Sequence, residues 1–114
     1  MDWQDPFEFI LLLVGLIFIV AGYILYKFPP KKINYIYGYR TRASMADQVS
    51  WDFAQKFSGI EMMKMGAALM ATSLIGSFLP ISHLHGTILS MIIIILATVL
   101  MIRRVEKAIK IRKG

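Results

Sequence analysis

Three long apolar segments dominate this chain of 114 residues and limit what it can fold into. They run from about 9 to 26, from about 60 to 79 and from about 84 to 102. A helix that crosses a bilayer needs about 20 mostly apolar residues, because the hydrocarbon core is roughly 30 Å thick and the helix rises about 1.5 Å per residue. The sequence therefore predicts an all-α membrane protein with three transmembrane helices in a single membrane domain, 1–114.

The overall composition excludes the main soluble alternatives. Hydrophobic residues make up 57% of the chain, charged residues only 18%, and the mean hydropathy is +0.61. A globule this small leaves much of its surface exposed and cannot bury that many apolar side chains. A soluble monomer and a disordered basic tail are both excluded, and the absence of cysteine removes disulfides and thiolate metal sites from consideration.

The first apolar segment is predicted to be a retained span rather than a signal peptide. A signal peptide begins with basic residues and ends in a small-residue cleavage site. This chain instead begins with the acidic residues Asp2, Asp5 and Glu8, and the end of the segment offers no such site.

Lysine and arginine residues predict the orientation, because they concentrate on the cytoplasmic side of membrane proteins. The residues before the first segment have none, and neither does the turn around 80–86. Six occur in the connection 27–58 and six more in the tail 103–114. We therefore expect a multi-pass protein of the bacterial plasma membrane, with its N-terminus outside, its C-terminus in the cytoplasm and its basic tail on anionic lipids.

Small residues distinguish the second apolar segment from the other two. Ala68, Thr72 and Gly76 recur every four residues, a spacing that lets helix backbones approach closely in lipid. We predict that this helix is the packing centre and that Gly15 and Gly22 of the first span contact it. The alternative is that small residues are simply common in membrane helices.

The connection 27–58 carries most of the unusual residues, and we expect it to be cytoplasmic. Prolines at 29 and 30 are predicted to end the first helix. Ser44 followed by Asp47 resembles a capping box and predicts a helix start, with an amphipathic helix over 45–57. Trp51 lies on the polar side of that helix, which indicates that one face contacts lipid or the spans and the other holds the loop.

The residues of this connection resemble the signature of the SdpI/YfhL family of small bacterial membrane proteins, which is named for immunity to a secreted peptide toxin. Asp47 and Gln55 depart from the pattern, since asparagine is expected at both positions. The residues that carry the resemblance are Pro29, Pro30, Asn34, Tyr37, Gly38, Tyr39, Arg40, Thr41, Ser44, Met45, Trp51, Ala54 and Gly59.

Two sets of charged residues are candidate sites. Arg40, beside alternating tyrosines, is predicted to be organised, either to bind a ligand or to tie the loop to the helix through Asp47. Glu61 and Lys64 lie one turn apart in the second span and are predicted to form an intramembrane ion pair, with a structural role favoured over a functional one.

No metal site, cofactor or catalytic group is predicted. His83 and His85 are separated by one residue, which places them on different faces of a helix, and no cysteine accompanies them. No nucleophile, phosphate loop or carboxylate pair with a base lies within one compartment, so we do not expect an enzyme. Nucleic-acid binding is not expected either, because the short basic tail is held at the membrane.

The resemblance implies an interaction protein that protects its cell from a membrane-active peptide toxin or reports that toxin inward. Its expected partners are the lipid bilayer, a peptide toxin and a cytoplasmic regulator. The alternatives are a small transporter or lipid-binding subunit that acts as an oligomer, and a structural accessory of a membrane complex.

Overall fold

The computed structural model of the chain describes residues 5–113 and contains three α-helices. They are α1 (Pro6–Lys27), α2 (Gln48–Gly76) and α3 (His83–Lys113), and no strand occurs within 5–113. The all-helical fold class is therefore confirmed. By length and composition, α1 and α3 are able to cross a membrane, and only 22% and 17% of the residues in their apolar stretches are buried within the protein. Asp2, one of the acidic residues predicted outside, and the side chain of Lys113 lie beyond what the structure describes.

Local sequence signals fix both ends of α1. The Asp5 carboxylate accepts a hydrogen bond from the Phe7 amide at 3.0 Å, and Pro6 occupies the first helical position. The helix ends at Lys27, where the prolines at 29 and 30 follow, as the sequence predicts.

The second helix corrects two predictions. It begins at Gln48, because the Asp47 carboxylate, and not the Ser44 hydroxyl, caps it by accepting a hydrogen bond from the Ser50 amide at 2.7 Å. The amphipathic helix predicted over 45–57 and the span predicted over 60–79 form one helix of 29 residues that ends at Gly76. No proline interrupts it, and the backbone of α1 fills the open side of Gly59.

Helices α1 and α2 are antiparallel and touch through their backbones at two glycine pairs. Gly15 lies against Gly66, and Gly22 lies against Gly59. A Cβ atom at Gly66 would lie 2.5 Å from the Gly15 carbonyl oxygen, and one at Gly22 would lie 2.6 Å from the Gly59 carbonyl oxygen. The two pairs are separated by seven residues along each helix, which is the repeat that keeps two helices in contact along a seam. The predicted contacts of Gly15 and Gly22 are confirmed.

The structure corrects the centre of the small-residue stripe predicted on α2, although Gly76 of that stripe is buried. Ala68 is exposed, whereas the buried side carries Gly66, Leu69 and Ser73. The Ser73 hydroxyl donates a hydrogen bond of 2.7 Å to the Glu8 carbonyl oxygen, which continues the seven-residue repeat of the glycine pairs. The seam repeats every seven residues through Gly59, Gly66 and Ser73, whereas of the four-residue repeat 68, 72 and 76 only Gly76 is buried.

Helix α3 covers one side of this pair and forms an apolar cluster near each of its ends. Near its start, Phe7, Leu11 and Leu69 are buried against side chains that include Ile93, Ile94 and Ala97. Near its end, Val105 and Ile109 pack on Ala54 of α2. The second cluster lies beside the loop that joins α1 to α2.

Substitution of Gly66 by leucine is expected to separate α1 from α2. The new side chain would meet the backbone of α1, and overpacking of this kind costs about 1–3 kcal/mol or more. We expect Gly66→Leu to lower the thermal unfolding midpoint of the detergent-solubilised protein clearly. Ala68→Leu is the matched control, because it makes a similar change two residues away on the exposed side of α2. Equal destabilisation by both variants would contradict the glycine seam.

Candidate functional site

The connecting loop, residues 28–47, folds over the first turns of α2 and carries most of the residues of the predicted motif. Its entry is fixed by Trp51, which is fully buried and donates its indole N–H to the Pro30 carbonyl oxygen at 2.8 Å. One turn earlier, the side-chain NH₂ group of Gln48 donates to the Lys31 carbonyl oxygen at 2.7 Å. Two side chains of α2 thus hold the loop where it leaves α1.

A tight turn at Asn34 reverses the loop. The Asn34 side-chain oxygen accepts hydrogen bonds from the amides of Ile36 and Tyr37 at 2.9 and 2.7 Å, which is how asparagine stabilises a turn. The Tyr37 hydroxyl then donates to the Phe28 carbonyl oxygen at 2.8 Å. The predicted motif residues Asn34 and Tyr37 therefore shape the loop itself.

Gln55 clamps the centre of the loop onto α2. Its side-chain oxygen accepts from the Tyr39 amide at 2.7 Å, and its NH₂ group donates to the Tyr39 carbonyl oxygen at 2.8 Å. Gly38 precedes this contact with φ of 106°, and a Cβ atom there would lie 2.5 Å from the Gln55 oxygen. Glycine is needed for both the backbone angle and the close approach.

Ser44 closes the second half of the loop. Its hydroxyl is fully buried, accepts from the Thr41 amide at 2.8 Å and lies 3.2 Å from the Tyr39 carbonyl oxygen. The Ser44 amide in turn donates to the Thr41 hydroxyl at 3.2 Å. Ser44 therefore stabilises the loop instead of starting a helix.

Glu106 of α3 joins the loop to the third helix, and the sequence analysis did not predict it. Its carboxylate accepts hydrogen bonds from the Tyr39 hydroxyl at 2.9 Å and the Thr41 hydroxyl at 3.0 Å. Burial and this neighbouring carboxylate raise the pKa of the Tyr39 phenol well above its usual value, so the phenol keeps its proton and donates. The available signal was that Glu106 is the sole acidic residue in the basic segment 103–113.

An apolar contact beneath the loop explains the small residue at position 54. Ala54 is fully buried between the loop and α3, where Val105 and Ile109 pack on it together with Tyr39. A larger side chain there would separate α2 from α3. The motif residues Trp51 and Ala54 thus lie with Gln55 on one face of α2, the face that holds the loop, as the sequence predicts.

Two glutamates are buried within the described residues, Glu8 and Glu61, and the main partner of Glu61 is Arg104. The Glu61 carboxylate is 2% exposed and accepts two hydrogen bonds from the Arg104 guanidinium, at 3.0 and 3.3 Å. The predicted partner Lys64 also contacts it, at 3.8 Å, but Lys64 is largely exposed. Arg104 was predicted only as a lipid-facing cation, because a helix-to-helix contact leaves no local spacing in the sequence.

Arg40 lies on the outer side of the loop. Its side chain is exposed and has no hydrogen bond or ion pair to another residue within 5–113. Of the alternating tyrosines, Tyr35 is exposed and Tyr39 is half-buried, so they do not share one side as an extended segment would place them. The loop therefore leaves Arg40 and Tyr35 on its outer surface and uses Tyr39 in its internal contacts.

His83 and His85 lie in the first turn of α3. His85 Nδ1 lies 2.8 Å from the Ser82 hydroxyl, which also accepts from the His85 amide at 3.3 Å. Within the described residues, no group of three or more His, Cys, Asp or Glu side chains is arranged to hold a metal ion.

Gln55→Glu is expected to release the connecting loop. The carboxylate replaces the donor to the Tyr39 carbonyl oxygen by a second acceptor, and breaking a buried hydrogen bond in this way costs about 1–3 kcal/mol. Limited trypsin digestion measures the release, because cleavage after Arg40 and Arg42 requires an open loop. Val49→Thr, on the exposed side of the same part of α2, is the control and should leave the digestion rate unchanged. Unchanged digestion of Gln55→Glu would contradict the clamp.

Arg104→Gln is expected to destabilise the contact between α2 and α3. It leaves the Glu61 carboxylate buried with only the distant Lys64, and the half-exposed position of Arg104 reduces the usual cost of breaking a buried pair to about 1–3 kcal/mol. Thermal unfolding in detergent measures this cost, with the neighbouring exposed Arg103→Gln as the matched control. The double variant Glu61→Gln/Arg104→Gln should recover much of the loss, and its failure to do so would contradict the pairing.

Comparison with known proteins is consistent with this arrangement of the loop and helices. A model of the SdpI/YfhL protein family matches residues 31–103, which include most of the connecting loop and all of α2. The chain is also 40% identical over 98 residues to the uncharacterized protein YfhL of Bacillus subtilis (strain 168), a match that covers 85% of this chain and 83% of that protein. No solved structure matches the chain. The resemblance seen in the sequence is confirmed, and the chain belongs to the SdpI/YfhL protein family.

Proposed function

We propose that the chain is a three-span plasma-membrane protein that protects its cell from a membrane-active peptide toxin or reports that toxin to the cytoplasm. Family membership and two helices suited to crossing a membrane support a membrane location. The observation that carries the proposal is that the family's residues fold into one hydrogen-bonded loop on α2 and α3, with Arg40 left on its outer side.

The packing of α2 supports its role as the third span. Its backbone is in close contact with α1 at Gly59 and Gly66, which supports the proposal that the two helices share the membrane. Its composition is less apolar than that of α1, but Ser58, Glu61 and Ser73 are buried against the protein. Polar groups inside a membrane bundle face its interior in this way.

The charge distribution supports the proposed orientation. The connecting loop and the end of α3 lie together, since Tyr39 and Thr41 both bind Glu106. These two segments also contain ten of the thirteen lysine and arginine residues. Because such residues concentrate on the cytoplasmic side, the proposal places the loop and the C-terminus in the cytoplasm and the N-terminus outside.

In this mechanism the lipid-facing sides of the helices contact the inserted peptide, and the loop either holds the bundle or engages a cytoplasmic regulator. The exposed side chains available to such a regulator include Tyr35, Ile36 and Arg40. Trp51 has the opposite role, because it is buried and holds the loop in place.

A survival assay tests this proposal. Sensitive bacteria expressing the chain are challenged with the secreted peptide toxin for which the family is named, at matched membrane levels of each variant. We expect wild-type protein to protect and Arg40→Ala to lose most of the protection without loss of fold. Trp51→Ala should lose protection together with loop order.

Arg42→Ala is the matched control, since Arg42 is an exposed arginine two residues from Arg40. It should protect as wild type does. Equal protection by wild type, Arg40→Ala and Trp51→Ala would contradict a role for the loop, and absence of protection by wild type would contradict immunity.

A further inference from the structure

An open groove runs between the first turns of α2 and the last turns of α3. Three neighbouring clefts form it, with volumes of about 420, 370 and 250 Å³. The first two share Val49 and Arg112, and stacked rings of Phe53 and Phe57, 5.4 Å apart, connect the second to the third. The groove lies away from Trp51 and Gln55, which hold the connecting loop.

The floor of this groove is apolar. Phe53 and Phe57 are only partly buried, and Val49 and Ile111 are 61% and 68% exposed. A contiguous apolar surface of this kind, bordered by charged residues, is typical of a contact with a membrane or a partner.

Cations border the apolar floor on both helices. Lys56 lies on the α2 side, Lys107 and Arg104 lie on the α3 side, and the Arg112 guanidinium is held over the Phe53 ring at 5.0 Å. Two carboxylates also face the groove, Asp52 at its wall and Asp47 at its end. Asp52 already accepts a hydrogen bond from Gln48 at 2.8 Å.

The groove continues into the surfaces that face lipid in the proposed topology. One turn further along each helix, Ile60 of α2 and Leu100 of α3 are exposed apolar residues on the same sides as Phe57 and Arg104. An acyl chain lying along Ile60 and Leu100 would bring its own headgroup to the level of the cations.

From this arrangement we infer that the groove is a binding site for an anionic glycerophospholipid. The headgroup phosphate lies among Lys56, Lys107 and Arg112, and the glycerol region and the start of an acyl chain lie on Phe53 and Phe57. The inference rests on the proposed topology, in which this end of α2 and α3 meets the cytoplasmic leaflet, and it adds a ligand that the toxin-related role does not require. That leaflet is the anionic one.

Charge and position together favour a lipid over a soluble acidic peptide. Both ligands are anionic, but only a lipid also covers the apolar surface that extends past the cations toward Ile60 and Leu100. Guanidinium and ammonium groups bind phosphate oxygens readily, and the aromatic floor suits the boundary between headgroups and acyl chains.

Native mass spectrometry of the full-length protein in detergent tests the site. The protein is titrated with dioleoylphosphatidylglycerol and, separately, with zwitterionic dioleoylphosphatidylcholine. For the first bound lipid we expect a preference for phosphatidylglycerol of about tenfold or more, since each nearby cation contributes to binding of an anionic lipid.

The triple variant Lys56→Gln/Lys107→Gln/Arg112→Gln should lose most of that preference. Lys32→Gln/Arg103→Gln/Lys110→Gln is the matched control, since it removes the same charge from exposed positions outside the groove. It should keep the preference. All six side chains are exposed, and circular dichroism verifies that both variants retain the helical fold.

Four results would overturn the site: no preference in wild type, an unchanged preference in the groove variant, an equal loss in the control variant, or displacement of the lipid by millimolar inorganic phosphate. Displacement by soluble polyglutamate would overturn the choice of a lipid and indicate a peptide groove. The assay contains no toxin, so failure of the immunity proposal in cells and failure of this site are distinguishable.

Discussion

The close approach of α1 and α2 is the constraint on which the rest of the molecule depends. At Gly15–Gly66 and Gly22–Gly59 the two backbones touch, so neither helix can slide without placing a side chain against a carbonyl oxygen. The prolines at 29 and 30 end α1 at Lys27, and in this register the first turns of α2 extend beyond that end. Trp51 and Gln55 lie on this extension, where their side chains reach the loop that leaves α1. The geometry of the motif therefore follows from the helix seam.

The same seam explains how α2 carries polar residues among apolar helices. The backbone of α1 contacts α2 on one side, and α3 packs against it on another. Ser58, Glu61 and Ser73 are therefore buried inside the protein. In the proposed three-span arrangement these groups do not meet hydrocarbon. Buried polar groups need a partner inside the protein. Arg104 is the partner of the Glu61 carboxylate, and the Glu8 carbonyl oxygen accepts a hydrogen bond from the Ser73 hydroxyl. The ion pair and the seam are thus linked, since a shift of α2 would expose the carboxylate.

Sequence reasoning succeeded where the signal is local or periodic. The prolines after Lys27, the opposed faces around Trp51 and the glycines of α1 each leave a short pattern in the chain, and the structure confirms all three. It failed at Ala68, because a four-residue repeat and a seven-residue repeat of small residues are hard to distinguish over the few turns of α2 that carry them. It did not identify Glu106 or Arg104 as partners, because their contacts join residues 43 to 67 positions apart. Side-chain pairing at that distance depends on the packing of α3, which no spacing in the chain encodes.

The basic residues at the end of α3 differ in role although they carry the same charge. From the sequence, one role is predicted for all the cations of 103–113, namely attraction to the cytoplasmic leaflet. In the structure they differ, since Arg104 neutralises Glu61, Arg112 covers Phe53, and Arg103 and Lys110 lie exposed. A uniform electrostatic anchor would weaken by the same amount whichever cation is removed. Because the surroundings differ, we expect the loss of lipid binding to depend on which cation is removed. A cation held against the aromatic floor of the groove binds a phosphate in a fixed place, whereas a cation exposed elsewhere on the helix does not.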